Sequence, residues 1–147
     1  MALAENRKAY HDYEILEKFE AGLSLRGFEV KSILLGRAAL KGGRVIIRNN
    51  EAFSVGVHIP PYQKANTPKE YEPDRARKLL LHKKEIQYLL GKEKQKGLTM
   101  VPLKLYNKGR KIKLEFAVVR GKKKYDKREV IKKREAKRKV ERSLKYI

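Results

Sequence analysis

The run Lys122-Lys123-Lys124-Tyr125-Asp126-Lys127-Arg128, opened by Gly121, sets one aromatic ring among phosphate-seeking charges. Such a ring stacks on an unpaired base for about 1–3 kcal/mol, while the cations neutralise phosphates and steepen the salt dependence of binding. A solvated basic terminus is the plainer reading of the same residues. A second cluster, Arg75, Arg77, Lys78, Lys83 and Lys84 around Leu79-Leu80-Leu81-His82, reads equally well as a phosphate-binding patch or as the wet side of a core segment. Asn6-Arg7-Lys8, shortly before His11, can contact RNA or simply fray. Glu20, beside Ala21-Gly22, brings a carboxylate that accepts from guanine edges or holds an arginine in place, and Glu29 with Lys31-Ser32 has the same ambiguity.

Bond-making chemistry is not indicated. No Ser, His and carboxylate grouping forms a nucleophile relay, no acidic pair suggests a metal-nuclease centre, and no Gly-rich loop has phosphate-cradling spacing. His11, His58 and His82 match no metal motif, and the absence of cysteine removes disulfides, zinc ribbons and thiol nucleophiles. The expectation is no metal, no cofactor and no catalysis.

What must position these residues is a small domain. The 147 residues carry 41% apolar content, enough for one core, and 38 Lys and Arg against 17 Asp and Glu, a formal +21 that needs a polyanion. No stretch approaches the roughly 18 apolar residues of a spanning helix, and Met1 to Glu14 lacks a signal core, so a soluble, cytoplasmic protein without a membrane partner is expected.

Along the chain, Tyr13, Ile15 and Phe19 and then Leu23 and Leu25 alternate as a half-buried strand. Phe28 to Leu34 has the spacing of a short helix stopped by Gly36. Arg44 to Arg48, the turn Asn49-Asn50 and Glu51 to Ile59 predict a hairpin. Tyr62 to Asp74 reads as an exposed loop, His82 to Lys96 as the better helix, and Leu98 to Tyr106 as a strand whose Pro102 requires an edge or a bulge. Lys111 to Val119 is the clearest strand. The count, about six strands and two short helices, predicts a mainly β fold: a six-stranded antiparallel barrel of the oligonucleotide-binding type, flanked by helices, over residues 1–120.

Residues 121–147 form the basic C-terminal tail. From Arg120 onward fourteen Lys or Arg face Asp126, Glu129, Glu135 and Glu141, so almost half the net charge lies there. Asp126 with Glu129 resembles a capping box, and Glu129/Lys133, Glu135/Lys139 and Glu141/Lys145 are favourable pairs worth about 0.2–0.5 kcal/mol each. Val130, Ile131, Val140 and Leu144 make a thin apolar stripe, so the tail is expected to be disordered alone and helical on a polyanion.

Six strings occur in an order that resembles the SsrA-binding protein (small protein B) family. They are His11-Asp12-Tyr13; Phe19-Glu20-Ala21-Gly22; Glu29-Val30-Lys31-Ser32; Arg77-Lys78-Leu79-Leu80-Leu81-His82; Lys96-Gly97-Leu98-Thr99 with Val101-Pro102-Leu103; and Gly121-Lys122-Lys123 with Asp126-Lys127-Arg128. The resemblance covers nearly the whole chain. It implies a non-enzymatic adaptor that grips the tRNA-like domain of transfer-messenger RNA (tmRNA, or SsrA RNA) and escorts it to stalled ribosomes for trans-translation. Elongation factor Tu and alanyl-tRNA synthetase would join through the RNA. Contacts to this RNA are then expected at Asn6, Arg7, Lys8, His11, Glu20, Lys31, Ser32, Arg77, Lys78, Leu80, His82 and Lys83. Gly121, Lys122, Lys123, Tyr125, Asp126, Lys127 and Arg128 would enter the empty messenger channel against small-subunit RNA at the decoding centre. Leu34 stands where a basic residue is usual, Tyr71-Glu72-Pro73 where a His-Asp-Pro-like run is common, and Tyr125 where some members carry His. A ribosomal or assembly protein bound to ribosomal RNA is the first alternative. A metal-dependent RNA-processing enzyme using Glu20 or Glu29 is the second.

Overall fold

The computed structural model describes residues 2–121. Lys122, Lys123, Tyr125, Asp126, Lys127 and Arg128 lie outside them. Alternating apolar and polar residues build a single antiparallel sheet, with strands β1 (Ala2–Glu5), β2 (Tyr13–Leu23), β3 (Arg44–Arg48), β4 (Glu51–Val55), β5 (Arg77–Leu80), β6 (Leu98–Lys108) and β7 (Lys111–Gly121). Helices α1 (Arg7–Asp12), α2 (Gly27–Leu34) and α3 (Lys83–Glu93) flank it. The strand order is β1-β6-β7-β2-β5-β4-β3. Hydrogen bonding ends at β1 and β3, yet β3 comes against β6, so the sheet curls into a barrel-like wrap without closing.

Local chemistry explains most of these boundaries. Asn49 and Asn50 both adopt positive φ, 52° and 61°, as a tight hairpin turn matched to strand twist requires, and they join β3 to β4 in register. Gly36 follows α2 at φ 73°, the left-handed position that a helix stop favours. Of the two placements open to Pro102, the bulge is the one found: β6 runs between β1 and β7, and its register shifts between Pro102 and Lys104. The proline thereby escapes a ladder position in which a backbone donor would be needed.

Three features exceed the sequence reading. β1 adds a strand by pairing with β6, β5 forms from a segment read only as a basic cluster around three leucines, and α1 forms from residues read as contacting RNA or fraying. Asn6 accounts for the helix. Its Oδ1 accepts from the Ala9 N–H at 3.3 Å, its Nδ2 donates to the Pro102 carbonyl at 2.9 Å, and its own N–H reaches the Leu103 carbonyl at 2.7 Å. The main core, including Ile33, Leu79, Leu89, Leu114 and Phe116, fills the inside of the wrap. A smaller cluster of Ala9, Val101, Leu103, Ala117 and Val119 lies under α1. That helix therefore covers one end of the sheet's outer face and leaves the other end open.

Candidate nucleic-acid interface

Strand register sets the open end of the outer face. Lys104, Glu115 and Glu20 lie directly across from one another on β6, β7 and β2. The neighbouring row runs Tyr106, Lys113, Gly22 and Leu80 over β6, β7, β2 and β5. Gly22 leaves the row closely packed, because a Cβ there would sit 3.3 Å from Leu80 Cδ1 and 3.6 Å from Lys113 Nζ. Leu80 stands 58% exposed beside it, a large apolar group held out of the core by its place in the strand.

Glu20 facing Glu115 is a like-charge pair, normally destabilising in a ladder. Each carboxylate has its own compensation. Glu115 receives Lys104 Nζ at 3.2 Å on one oxygen and Lys18 Nζ at 3.6 Å on the other. The Tyr106 hydroxyl in a shared cleft, Lys108 Nζ at 3.4 Å and the charge of Lys113 together hold the Glu20 carboxyl below the usual range. Burial and the Glu20 carboxylate push the Tyr106 hydroxyl well up, so it stays a donor. Lys18, Phe19, Glu20, Lys104, Tyr106 and Glu115 line a cleft of about 410 Å³. The arrangement offers phosphate-binding cations, apolar surface and an oriented acceptor on one face, which suits RNA with exposed bases.

Behind this face lies a buried ionic knot. Glu29 of α2 is fully buried and accepts from Arg75 Nη2 at 2.6 Å, Arg77 Nε at 2.7 Å and the Arg26 backbone N–H at 2.8 Å. The Tyr71 hydroxyl sits 2.9 Å from it. Arg77 spends its remaining donors on the Val57 and Pro73 carbonyls, both at 2.8 Å, on the Tyr71 hydroxyl at 2.9 Å and on the Arg75 carbonyl at 3.2 Å. Burial alone would raise the Glu29 carboxyl, but Arg75, the Arg26 N–H and Arg77 prevail and hold it down to about 2. The knot ties α2, β5 and the 60–74 loop into one rigid support.

Three expected contact residues are therefore corrected. Arg77 is 1% exposed and faces Glu29, Ser32 is fully buried on the inward side of α2, and Asn6 is consumed in docking α1. Their side chains are buried in the fold and not presented on the outer face. Arg7, Lys8 and His11 are exposed on α1, with the His11 ring 3.2 Å from Asp12. Lys31 is exposed on α2, over the Tyr62 ring at 5.4 Å. Lys78 and Leu80 project from β5 onto the same outer face as Glu20. His82 caps α3, its N–H reaching Glu85 at 3.2 Å, and Lys83 begins that helix in solvent. Gly121 pairs with Tyr13 at the end of β7.

The family model described as SmpB protein matches residues 3–146. The chain belongs to the SmpB family. The SsrA-binding protein of Carboxydothermus hydrogenoformans is 55% identical over 142 residues, spanning 97% of this chain and 95% of its own. That of Trichodesmium erythraeum is 51% identical over 143 residues, spanning 97% and 92%. A chain in a solved structure described as "tmRNA-SmpB: a journey to the center of the bacterial ribosome" superposes with a TM-score of 0.68 at 47% identity, covering 80% of this chain and 82% of its own.

Within this SmpB fold, the sequence reading missed Lys18, Lys104, Tyr106, Lys108, Lys113 and Glu115 as site residues. The signal was present in the alternation Lys104, Tyr106, Lys108 on β6 and Lys111, Lys113, Glu115 on β7. Alternation says that such residues share a face. It does not say which face Glu20 will join.

Proposed function

We propose that this chain binds the tRNA-like part of SsrA RNA through its outer β face and delivers it to stalled ribosomes in the cytoplasm for trans-translation. The observation that carries this reading is the SmpB match over residues 3–146, nearly the full chain. The exposed cations, Leu80, Tyr106 and Glu20 support it by supplying the contacts an RNA with unpaired bases needs. The role is that of an adaptor without chemistry of its own. Elongation factor Tu and alanyl-tRNA synthetase meet it through the RNA, and the segment from Gly121 onward occupies the empty messenger channel.

A gel-shift competition tests the first half. The protein is expected to retain SsrA RNA against an excess of bulk tRNA, and equal competition by the two overturns the reading. Truncation after Arg120 tests the second half. It should leave binding to free SsrA RNA largely intact while abolishing rescue, and loss of both together contradicts the division of labour. Co-sedimentation separates an adaptor, enriched on stalled ribosomes, from a resident ribosomal protein found on all of them.

A further inference from the structure

The 60–74 loop is long for a connection, yet it is anchored at both ends. The Tyr71 hydroxyl meets the Ile59 carbonyl at 2.7 Å and Glu29 at 2.9 Å, while the Pro73 carbonyl accepts from Arg77 and from the Ile59 N–H at 3.0 Å. A single 3-10 turn at Lys64–Asn66 folds the tip, where the Thr67 hydroxyl donates to the Gln63 carbonyl at 2.6 Å. The loop encloses a cleft of about 600 Å³, larger than the 410 Å³ cleft of the outer face. Three of the chain's five prolines, Pro61, Pro68 and Pro73, line it together with Tyr71, Lys64 and Lys69. Because its hydroxyl is committed to the knot, Tyr71 offers the cleft its ring, which is fixed edge-to-face against Phe28 at 4.6 Å.

Flat, rigid apolar groups beside exposed cations match a ligand that is flat and apolar at one end and anionic at the other, as an unpaired nucleotide is. Among the described residues neither lysine has an ion-pair partner, and no carboxylate lines the cleft. Glu70 and Glu72 flank Tyr71 in sequence but stand exposed outside it. The chain's own basic segment from Arg120 onward is a poor occupant, since its surplus of Lys and Arg repels Lys64 and Lys69. Strand β5 separates this cleft from the outer face. Lys78 and Leu80 leave it on the outer side, whereas Arg77, which holds Tyr71 and Pro73, leaves it on the inner side. The two clefts share no residue, so an RNA lying on the outer face leaves this one open to a second RNA.

Resting on the proposed RNA-binding function, we infer that the cleft of the 60–74 loop takes an unpaired nucleotide of ribosomal RNA while SsrA RNA occupies the outer face, the base lying against the prolines and the Tyr71 ring and its phosphates on Lys64 and Lys69. The first test uses K64A/K69A in the full chain. Its affinity for the tRNA-like portion of SsrA RNA should stay within twofold of native, which also shows that it folds. Binding of that complex to ribosomes in co-sedimentation should weaken about tenfold, with the salt slope reduced by about one to two. An undiminished hold on ribosomes, or an equal loss for the free RNA, overturns the inference. A second test asks for the base. A single-stranded oligoribonucleotide should shift the Thr67, Lys69 and Tyr71 amide resonances of the full chain, and the same oligomer with abasic riboses should shift them at most a third as far. Equal shifts mean a phosphate site without a base and overturn the inference. Finally, the chain has no cysteine, so Thr67→Cys carries a single benzophenone label into the cleft. On ribosomes it should crosslink to RNA, and crosslinks confined to ribosomal protein overturn the inference. Each of these failures leaves SsrA RNA binding in place, whereas failure to prefer that RNA over bulk tRNA would remove the proposed function itself.

Discussion

Two glutamates, Glu29 and Glu20, each gather basic side chains and a tyrosine hydroxyl, and the fold uses them in opposite ways. Glu29 is fully buried, with both oxygens saturated by Arg75, Arg77, Tyr71 and the Arg26 N–H. Glu20 lies on the outer face with Tyr106 and Lys108 on one side and open space on the other. Burial makes a carboxylate a fixed structural joint, because its partners cannot leave without stranding a charge. Exposure leaves it weakly committed, since water and salt screen its partners and a ligand can compete.

The largest expected effect sharpens this contrast. Glu29→Ala leaves Arg77 buried and unpaired, and should lower unfolding stability by on the order of 3–5 kcal/mol in urea titration. Glu20→Ala should leave the midpoint unchanged. Comparable losses from both would erase the distinction.

Acid provides the next test. The Glu29 carboxyl is held at about 2 against an ordinary value of 4.5, so its contribution is complete above pH 4.5 and is lost as pH falls towards 2. The loss should be on the order of 3 kcal/mol, read from denaturation curves across that window. E29Q should lack this slope, whereas E20Q should retain it.

Tyr71→Phe removes one hydroxyl from the knot while Arg75 and Arg77 remain on Glu29, so about 1 kcal/mol is expected in thermal unfolding. The smallest stability effect belongs to Leu80→Ala, within about 0.5 kcal/mol because the side chain is mostly in solvent. Its affinity for SsrA RNA should nevertheless fall several-fold in a gel shift. On the same face, Lys104→Ala should reduce the salt slope of RNA binding by about one, the signature of a single lost phosphate contact.

Elements whose causes are local are legible in the amino-acid sequence. The β3–β4 hairpin follows from Asn49-Asn50, α2 and α3 from their periodicity and the glycines after them, and β7 from the alternation over Lys111 to Phe116. Part of the site is legible for another reason: Glu20, Lys78 and Leu80 belong to strings that resemble a family, and all three reach the outer face. β1 and α1 are hidden because each depends on a distant partner. β1 is a strand only beside β6, and α1 is pinned through Asn6 to carbonyls nearly a hundred residues away.

Arg77 and Lys78 mark the boundary between the two kinds of knowledge. A period of two places adjacent strand residues on opposite faces, so within β5 one of these cations must go in and the other out, whereas the sequence reading drew no strand there and expected both at the RNA. The sequence could not say which, since Leu79, Leu80 and Leu81 are equally apolar and give no phase. Tertiary structure decided it by setting Glu29, 48 residues away in sequence, on the inner side, where a buried arginine finds its counter-charge. Total charge and turn chemistry are properties of the chain. The sorting of cations into support and interface is a property of the packing, because only packing chooses which charges lose their water and must be paired.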